Sequence, residues 1–291
     1  MPDLLARNAG LPPTKRLNIA VVAPSNRVDP TLPPRLEALA AALYGESRPA
    51  IAFAPQCFES CGHFAGPDAA RAASFIAAAN DPEVDVVWFG RGGYGSFRLA
   101  EAVLAGLGPA ARDKIYMGYS DAGALLGALY AAGIGRVAHG PMPSDLNRDG
   151  GAAAVRRALA FLVESAATAL EPHVADRPTA AFNITILAHL VGTPFLPDLR
   201  GHVLMLEEIA EPMYRIDRDL GQILSAPALR GLAGLRLGRC GAIPDNDPDF
   251  VLGEDEVAQY WCARADVPWL GHADIGHDVD NKVVPFGLWG R

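Results

Sequence analysis

No stretch of the chain reaches the roughly 18 consecutive apolar residues that a membrane-crossing helix requires. The longest apolar runs are interrupted by Gly, Pro or charge, so no transmembrane helix and no membrane partner are expected. Basic residues are also in short supply. Lys and Arg number 25 against 33 Asp and Glu, for a formal charge of -8. Without a basic face, neither a nucleic-acid backbone nor an anionic bilayer is expected as the main partner. Cysteine is scarce, at four residues: Cys57, Cys61, Cys240 and Cys262. Cys57 and Cys61 are close in sequence, but no second pair has ligand spacing and no His-x-x-x-His occurs. A metal site is therefore not expected, and the thiols read as reduced and mostly buried. The N-terminal stretch MPDLLARNAGLPPTKR has no apolar core ahead of its basic residues, so export is not indicated and a cytoplasmic location is expected. Internal repeats are lacking, and low complexity is limited to alanine-rich segments.

What is present suits a packed globular chain. Half of the 291 residues are hydrophobic and 20% are charged, enough for one large or two ordinary domains. Short β-branched apolar runs at 17–23, 51–54, 84–90 and 114–118 read as buried strands. Between and after them, 34–43, 68–80, 99–107 and 122–133 have helical spacing or alanine-rich propensity, with Asp68 a candidate N-cap. Alternating strand and helix implies a parallel sheet covered on both faces, a Rossmann-like or flavodoxin-like domain. The active groups of such sheets gather in loops at the carboxyl ends of the strands. A helix at 152–166 closes this part. The Pro-, Thr- and charge-rich stretch after it reads as a linker, giving an N-terminal domain over 1–165, a linker over 166–183 and a smaller, mainly β, α/β domain over 184–291. In the last part, 201–206 reads as a strand running into Glu207-Glu208, 213–224 as a helix, and 235–240, 267–275 and 283–286 as further strands.

Two glycine-containing loops fall at strand ends. In Gly118-Tyr119-Ser120-Asp121-Ala122 the serine sits between a strand and a helix. A sharp turn there projects its hydroxyl above the sheet, and the helix N-terminus offers N–H groups to an oxyanion. A serine in that place is equally suited to be an N-cap. In Arg91-Gly92-Gly93-Tyr94-Gly95, three glycines let backbone N–H groups approach a phosphate, a carboxylate or an oxyanion, or simply make a tight turn. The loop lacks the Lys-Ser/Thr ending of a P-loop and does not fit Gly-x-Gly-x-x-Gly, so no nucleotide cofactor is expected. Glu207-Glu208 could orient an imidazole or mark a solvated helix start. Among the seven histidines, His173 lies in the linker and His189 and His202 in apolar surroundings. His277, in a Gly- and Asp-rich loop, and His139, before Gly140-Pro141, are the better candidates for a general base, with His272 nearby.

Taken together these loops resemble the LD-carboxypeptidases of murein recycling, whose relatives include the microcin C self-immunity peptidase. The resemblance is carried by Ala23-Pro24-Ser25, residues 66–71, Arg91-Gly92-Gly93-Tyr94-Gly95, Gly118-Tyr119-Ser120-Asp121, His139-Gly140-Pro141, Leu206-Glu207-Glu208, Tyr214-Arg215-Ile216-Asp217-Arg218 and Gly276-His277. It runs from about residue 17 to the end of the chain. It departs at Glu208, where the family usually has Asp, and at Ala122-Gly123 after the serine motif. It implies a serine peptidase with Ser120 as nucleophile, His277 as base and Glu207 as the acid that orients His277. It further implies an oxyanion hole from the Asp121 N–H and an N–H of Gly92 or Gly93, and a muropeptide or other small peptide cleaved before a terminal D-alanine. A homodimer is implied, and no cofactor. Arg91, Arg215 and Arg218 are candidates for the substrate carboxylates, Arg215 and Arg218 fitting structural ion pairs better. An aminoacyl-nucleotide amidase, or a non-catalytic ligand-binding α/β protein, are the alternatives.

Overall fold

In parallel sheets both faces are covered, so strands are short, apolar and continuous rather than alternating. The computed structural model, which describes residues 16–174 and 177–289, contains two such sheets. The basic N-terminal stretch used to judge export, and the chain's last two residues, lie outside the described residues. The first sheet holds β1 (Asn18–Val22), β2 (Ala50–Phe53), β3 (Val86–Phe89), β4 (Ile115–Gly118) and β5 (Arg136–His139). Its helices are α1 (Leu32–Tyr44), α2 (Asp68–Asn80), α3 (Ala100–Gly106), α4 (Gly123–Ala131) and α5 (Ala152–Glu164). Strand order is β2-β1-β3-β4-β5, all parallel, which is the flavodoxin-like alternative of the two expected. Order reverses beside β1, so the chain leaves β1 and β3 toward opposite edges of the sheet, and their loops meet at the switch point, Asn26 N donating to Gly92 O at 3.4 Å. β3 and β4 are buried along their whole length, and Trp88 is wholly enclosed with its indole N–H donating to Pro141 O at 2.9 Å.

The second sheet is β6 (Thr179–Asn183), β7 (Val203–Ile209), β8 (Gly234–Gly241) and β9 (Trp269–His272), in that order and all parallel. It is packed by α6 (Ile184–Leu190), α7 (Met213–Ser225) and α8 (Glu254–Ala265). α7 is amphipathic: Ile216, Leu220, Ile223 and Leu224 are buried at helical spacing. Each such side chain contributes roughly 1.5–3 kcal/mol through its burial.

Several elements differ from the sequence reading. The segment expected as linker supplies β6. All five of its residues are buried, so the strand shows no alternation to betray it. Residues 184–190, apolar but unassigned, form α6, capped by the Asn183 side chain accepting from Ile186 N at 3.2 Å. Asp68 is the first residue of α2 rather than its cap, and its carboxylate instead pairs with Arg71 and Arg98. The closing strand β10 (Val284–Pro285) does not join the second sheet. It pairs antiparallel with β5, Val284 opposite His139, and so adds a sixth strand to the first sheet.

Candidate active site

Ser120 follows β4 and opens the turn into α4, at a backbone φ of 61°. A non-glycine residue in this left-handed region is strained, and a serine held so at a strand-to-helix turn is the arrangement that projects a nucleophile. Gly92 lies against it. A Cβ built on Gly92 would stand 2.9 Å from both Cβ and Oγ of Ser120, so only glycine leaves the hydroxyl its place. The Gly92→Ala chain is accordingly expected to fold but to label Ser120 with a fluorophosphonate about 100-fold more slowly, the order of loss that a misplacement of about 1 Å brings to a reacting group. Labelling at the wild-type rate would show that the two backbones do not constrain the hydroxyl.

The loop around Gly92 is anchored by buried polar groups that sequence reading left without a role. Arg71 is wholly buried and donates to the carbonyls of Pro24, Gly66 and Gly95, joining the loops after β1 and β3 to the start of α2. At Gly93, φ 115°, a Cβ would stand 2.4 Å from Cγ of Asn26, so the position has no room for a side chain. Asp121 is buried beneath the turn. Its carboxylate accepts from the Ser25 hydroxyl and from Ser96 N at 2.9 Å, and its carbonyl accepts from the Ser96 hydroxyl. Burial pushes the Asp121 carboxyl above its usual range, against the opposing pull of those hydrogen bonds. The side chain of Asp121 thus clamps the β1 and β3 loops onto the Ser120 turn. Arg91 is exposed and donates to Arg27 O at 3.2 Å.

Glu207 comes from β7. The two acids expected in a loop past the strand end lie within the strand, both buried. Adjacent strand residues point to opposite faces, so they have separate surroundings. Glu208 accepts from Asn183 Nδ2 at 2.5 Å, Ile209 N at 2.9 Å, and Thr185 N and Oγ1 at 2.9 and 2.8 Å. These bonds only partly offset burial, which leaves its carboxyl raised. Glu207 faces the other way and bonds through Oε2 to His277 Nδ1. Oε1 is buried and, among the described residues, has no hydrogen-bond partner, so the carboxylate is committed to the imidazole. Space for it comes from a register shift between β7 and β8. Gly238 sits at that shift, and a Cβ there would lie 3.1 Å from the Glu207 Cβ. Bulges of this kind re-aim side chains beside active sites.

His277 is almost enclosed, with 7% of its side chain exposed. Burial alone would lower its pKa, but the charge of Glu207 and the hydrogen bond to it outweigh that, and the imidazole is raised above its ordinary value. Its ring packs on Tyr119, the residue before Ser120, at 4.9 Å between centroids. The Tyr119 hydroxyl donates to Asp145 at 2.7 Å. The His277 loop is braced from three sides. Arg148 donates to the His277 carbonyl, Arg157 to Val279 O and Asn281 O at 2.9 Å each, and Arg239 of β8 forks across Asp278 at 2.5 and 2.8 Å and Asp274 at 2.7 Å.

The other candidates are dispersed. His173 pairs with Glu171, His272 with Asp255, His202 with the Tyr130 hydroxyl, and His189 is exposed on α6. Arg215 pairs with Glu211 at 3.0 Å and Arg218 with Asp219 at 3.5 Å, both on an exposed part of α7. His139 is buried beside Tyr119, 5.6 Å between ring centroids.

The chain matches two family models in sequence, the LD-carboxypeptidase N-terminal domain over residues 19–140 and the LD-carboxypeptidase C-terminal domain over residues 179–291. The second match begins at the first residue of β6. The fold and these matches define a peptide hydrolase of the α/β class. The chain belongs to the LD-carboxypeptidase family. It is 38% identical to a putative carboxypeptidase of Streptomyces coelicolor over 98% of this chain and 92% of that one. It is 29% identical to a murein tetrapeptide carboxypeptidase of Pseudomonas aeruginosa over 77% of this chain and 78% of that one. Among solved structures, a muramoyltetrapeptide carboxypeptidase from Oxalobacter formigenes superimposes with a TM-score of 0.76 at 26% identity, covering 92% of this chain and 93% of that one. A microcin self-immunity protein, at 15% identity and a TM-score of 0.69, covers 94% of this chain and 96% of that one and shares the fold. Among the described residues no helix is long and apolar enough to cross a membrane.

Proposed function

We propose that the chain is a serine-type LD-carboxypeptidase that releases the terminal D-alanine of a murein tetrapeptide, with Ser120 as nucleophile, His277 as general base and Glu207 as its orienting acid. The observation that carries this reading is the buried Glu207–His277 pair packed through Tyr119 onto the turn that presents Ser120 at positive φ. Glu207 bonds Nδ1, which leaves Nε2 as the nitrogen that takes the Ser120 proton. As Oγ attacks the scissile carbonyl, the oxygen becomes an oxyanion. The Asp121 N–H and an N–H of Gly92 or Gly93 are the donors proposed for it. The C–N bond then breaks, and His277 returns its proton to the departing amine of D-alanine. Water, deprotonated by the same imidazole, hydrolyses the Ser120 ester and regenerates the hydroxyl. The steps need no redox or metal chemistry.

On this reading the nucleophile belongs to the first sheet and the base and acid to the second part of the chain, so the reaction takes place where the two meet. Arg91, exposed at the head of the glycine loop, is the proposed partner of a substrate carboxylate. A cytoplasmic location and a homodimer complete the proposal.

The test is D-alanine release from purified murein tetrapeptide. Release by the wild-type chain is the expected result. Fluorophosphonate labelling of Ser120 without release would keep the serine hydrolase and turn the search to aminoacyl-nucleotide amides. Neither release nor labelling would leave a ligand-binding protein.

A further inference from the structure

One buried contact beside the site takes no part in the steps above. His139 ends β5, wholly buried, between Gly118 of β4 on one side and Val284 of β10 on the other. Gly118 leads through Tyr119 to Ser120. Val284 is preceded, across two residues, by Asn281, which closes the His277 loop. The Asn281 side chain accepts from Gly276 N at 3.2 Å through Oδ1. That bond settles which end of the amide faces inward, because an N–H can meet only the oxygen. The same Oδ1 lies 3.1 Å from His139 Nε2, so Nε2 carries the proton and donates. Asn281 Nδ2 is buried and, among the described residues, has no hydrogen-bond partner. The amide is therefore held by Oδ1 alone, between His139 and the residue that precedes His277.

We propose that His139 is a positioning residue for acyl transfer, its Nε2–H bond to Asn281 setting the separation between the Ser120 turn and His277. The inference rests on the Ser120–His277–Glu207 reading. Tyr119 supports it: its ring packs against both imidazoles, 5.6 Å from His139 and 4.9 Å from His277 between centroids. Burial holds the His139 imidazole down to about 4, against the opposing charge of Glu207. His139 therefore stays neutral where His277 titrates, and adds no charge to that of Arg148 already opposing the imidazolium that forms when Ser120 loses its proton.

The experiment compares His139→Leu, of similar volume but without a donor, with His139→Gln, whose amide nitrogen restores a donor at nearly the same reach. Ser120 labelling by a fluorophosphonate, kcat and KM for D-alanine release, and thermal unfolding are measured on each, with Ser120→Ala alongside. His139→Leu is expected to lose about 10- to 100-fold in labelling rate and in kcat with KM within about twofold, and His139→Gln to recover most of that loss. Asn281→Ala, which removes the acceptor and leaves His139 in place, is the second probe should His139→Leu not fold. It is expected to be slowed at least as much, because it also removes the bond from Gly276 N, and the double variant to be no slower than Asn281→Ala alone, since the bond the two substitutions share is lost only once. Equal rates for the Leu and Gln variants, or additive losses in the double variant, overturn the proposal while the triad stands. If wild-type chain is not labelled at Ser120, or Ser120→Ala retains full activity, the triad reading itself falls.

Discussion

The Ser120→Ala chain should retain its fold and KM within a few-fold, and lose about 10⁴- to 10⁶-fold in kcat for D-alanine release. The substitution removes one oxygen and leaves the backbone at φ 61° as it is, because Ala and Ser meet the same steric cost there. Ser120 is only partly buried and, among the described residues, its hydroxyl has no hydrogen-bond partner, so stability has little to lose. Whatever rate survives comes from substrate binding and oxyanion donors, which the substitution does not touch. Steady-state kinetics together with a thermal melt check both halves. A variant that melts like wild type and still turns over within tenfold would remove Ser120 from the chemistry.

Glu207→Gln should lower kcat by roughly 10⁴-fold, because an amide that donates to Nδ1 stabilises the tautomer whose Nε2 carries the proton and cannot accept one. A second signature follows from the electrostatics. In the wild-type chain the carboxylate of Glu207 raises His277 despite burial. With the charge gone, burial dominates and the imidazole should titrate below its ordinary value. On the proposed triad the base works when neutral, so wild-type activity is expected to rise with pH through a midpoint above the ordinary imidazole value. Stability has the opposite sense. A group raised on folding adds stability that is fully present below its unfolded pKa and is lost as pH rises through the folded one. The imidazole midpoint, read by NMR on ring-labelled histidine, should move to lower pH in Glu207→Gln. An unchanged midpoint would mean that Glu207 does not set the protonation of His277.

Much of the first sheet was legible because each of its strands is a short apolar run followed by a loop or a helical stretch with its own period. The runs at 17–23 and 114–118 enclose β1 and β4 with little excess. The second part was harder to read. β6 is too short, and too uniformly buried, for alternation to separate it from the Pro- and Thr-rich segment before it. β10 looked like the last strand of its own domain, yet it pairs with β5 across roughly 145 residues of chain, and no local pattern encodes such a partner. Which of the two adjacent acids faces His277 came from resemblance alone. The physical reason is that both lie inside β7, where the pleat sends Glu208 to Asn183 and Thr185 and Glu207 to the imidazole.

By itself, the sequence determined the alternation of strand and helix, the glycine-bearing loops at the carboxyl ends of β3 and β4, and membership in the LD-carboxypeptidase family. These are local properties, written in residue type and spacing. Only the tertiary structure decided that Arg71 and Asp121 tie three loops under Ser120, that Gly238 makes room for Glu207, and that Arg239, Arg148 and Asn281 hold the His277 loop. Apart from Asn281 with Gly276, those contacts join residues far apart in the chain, and a buried polar group takes its partner from whatever the packing brings within about 3 Å of it.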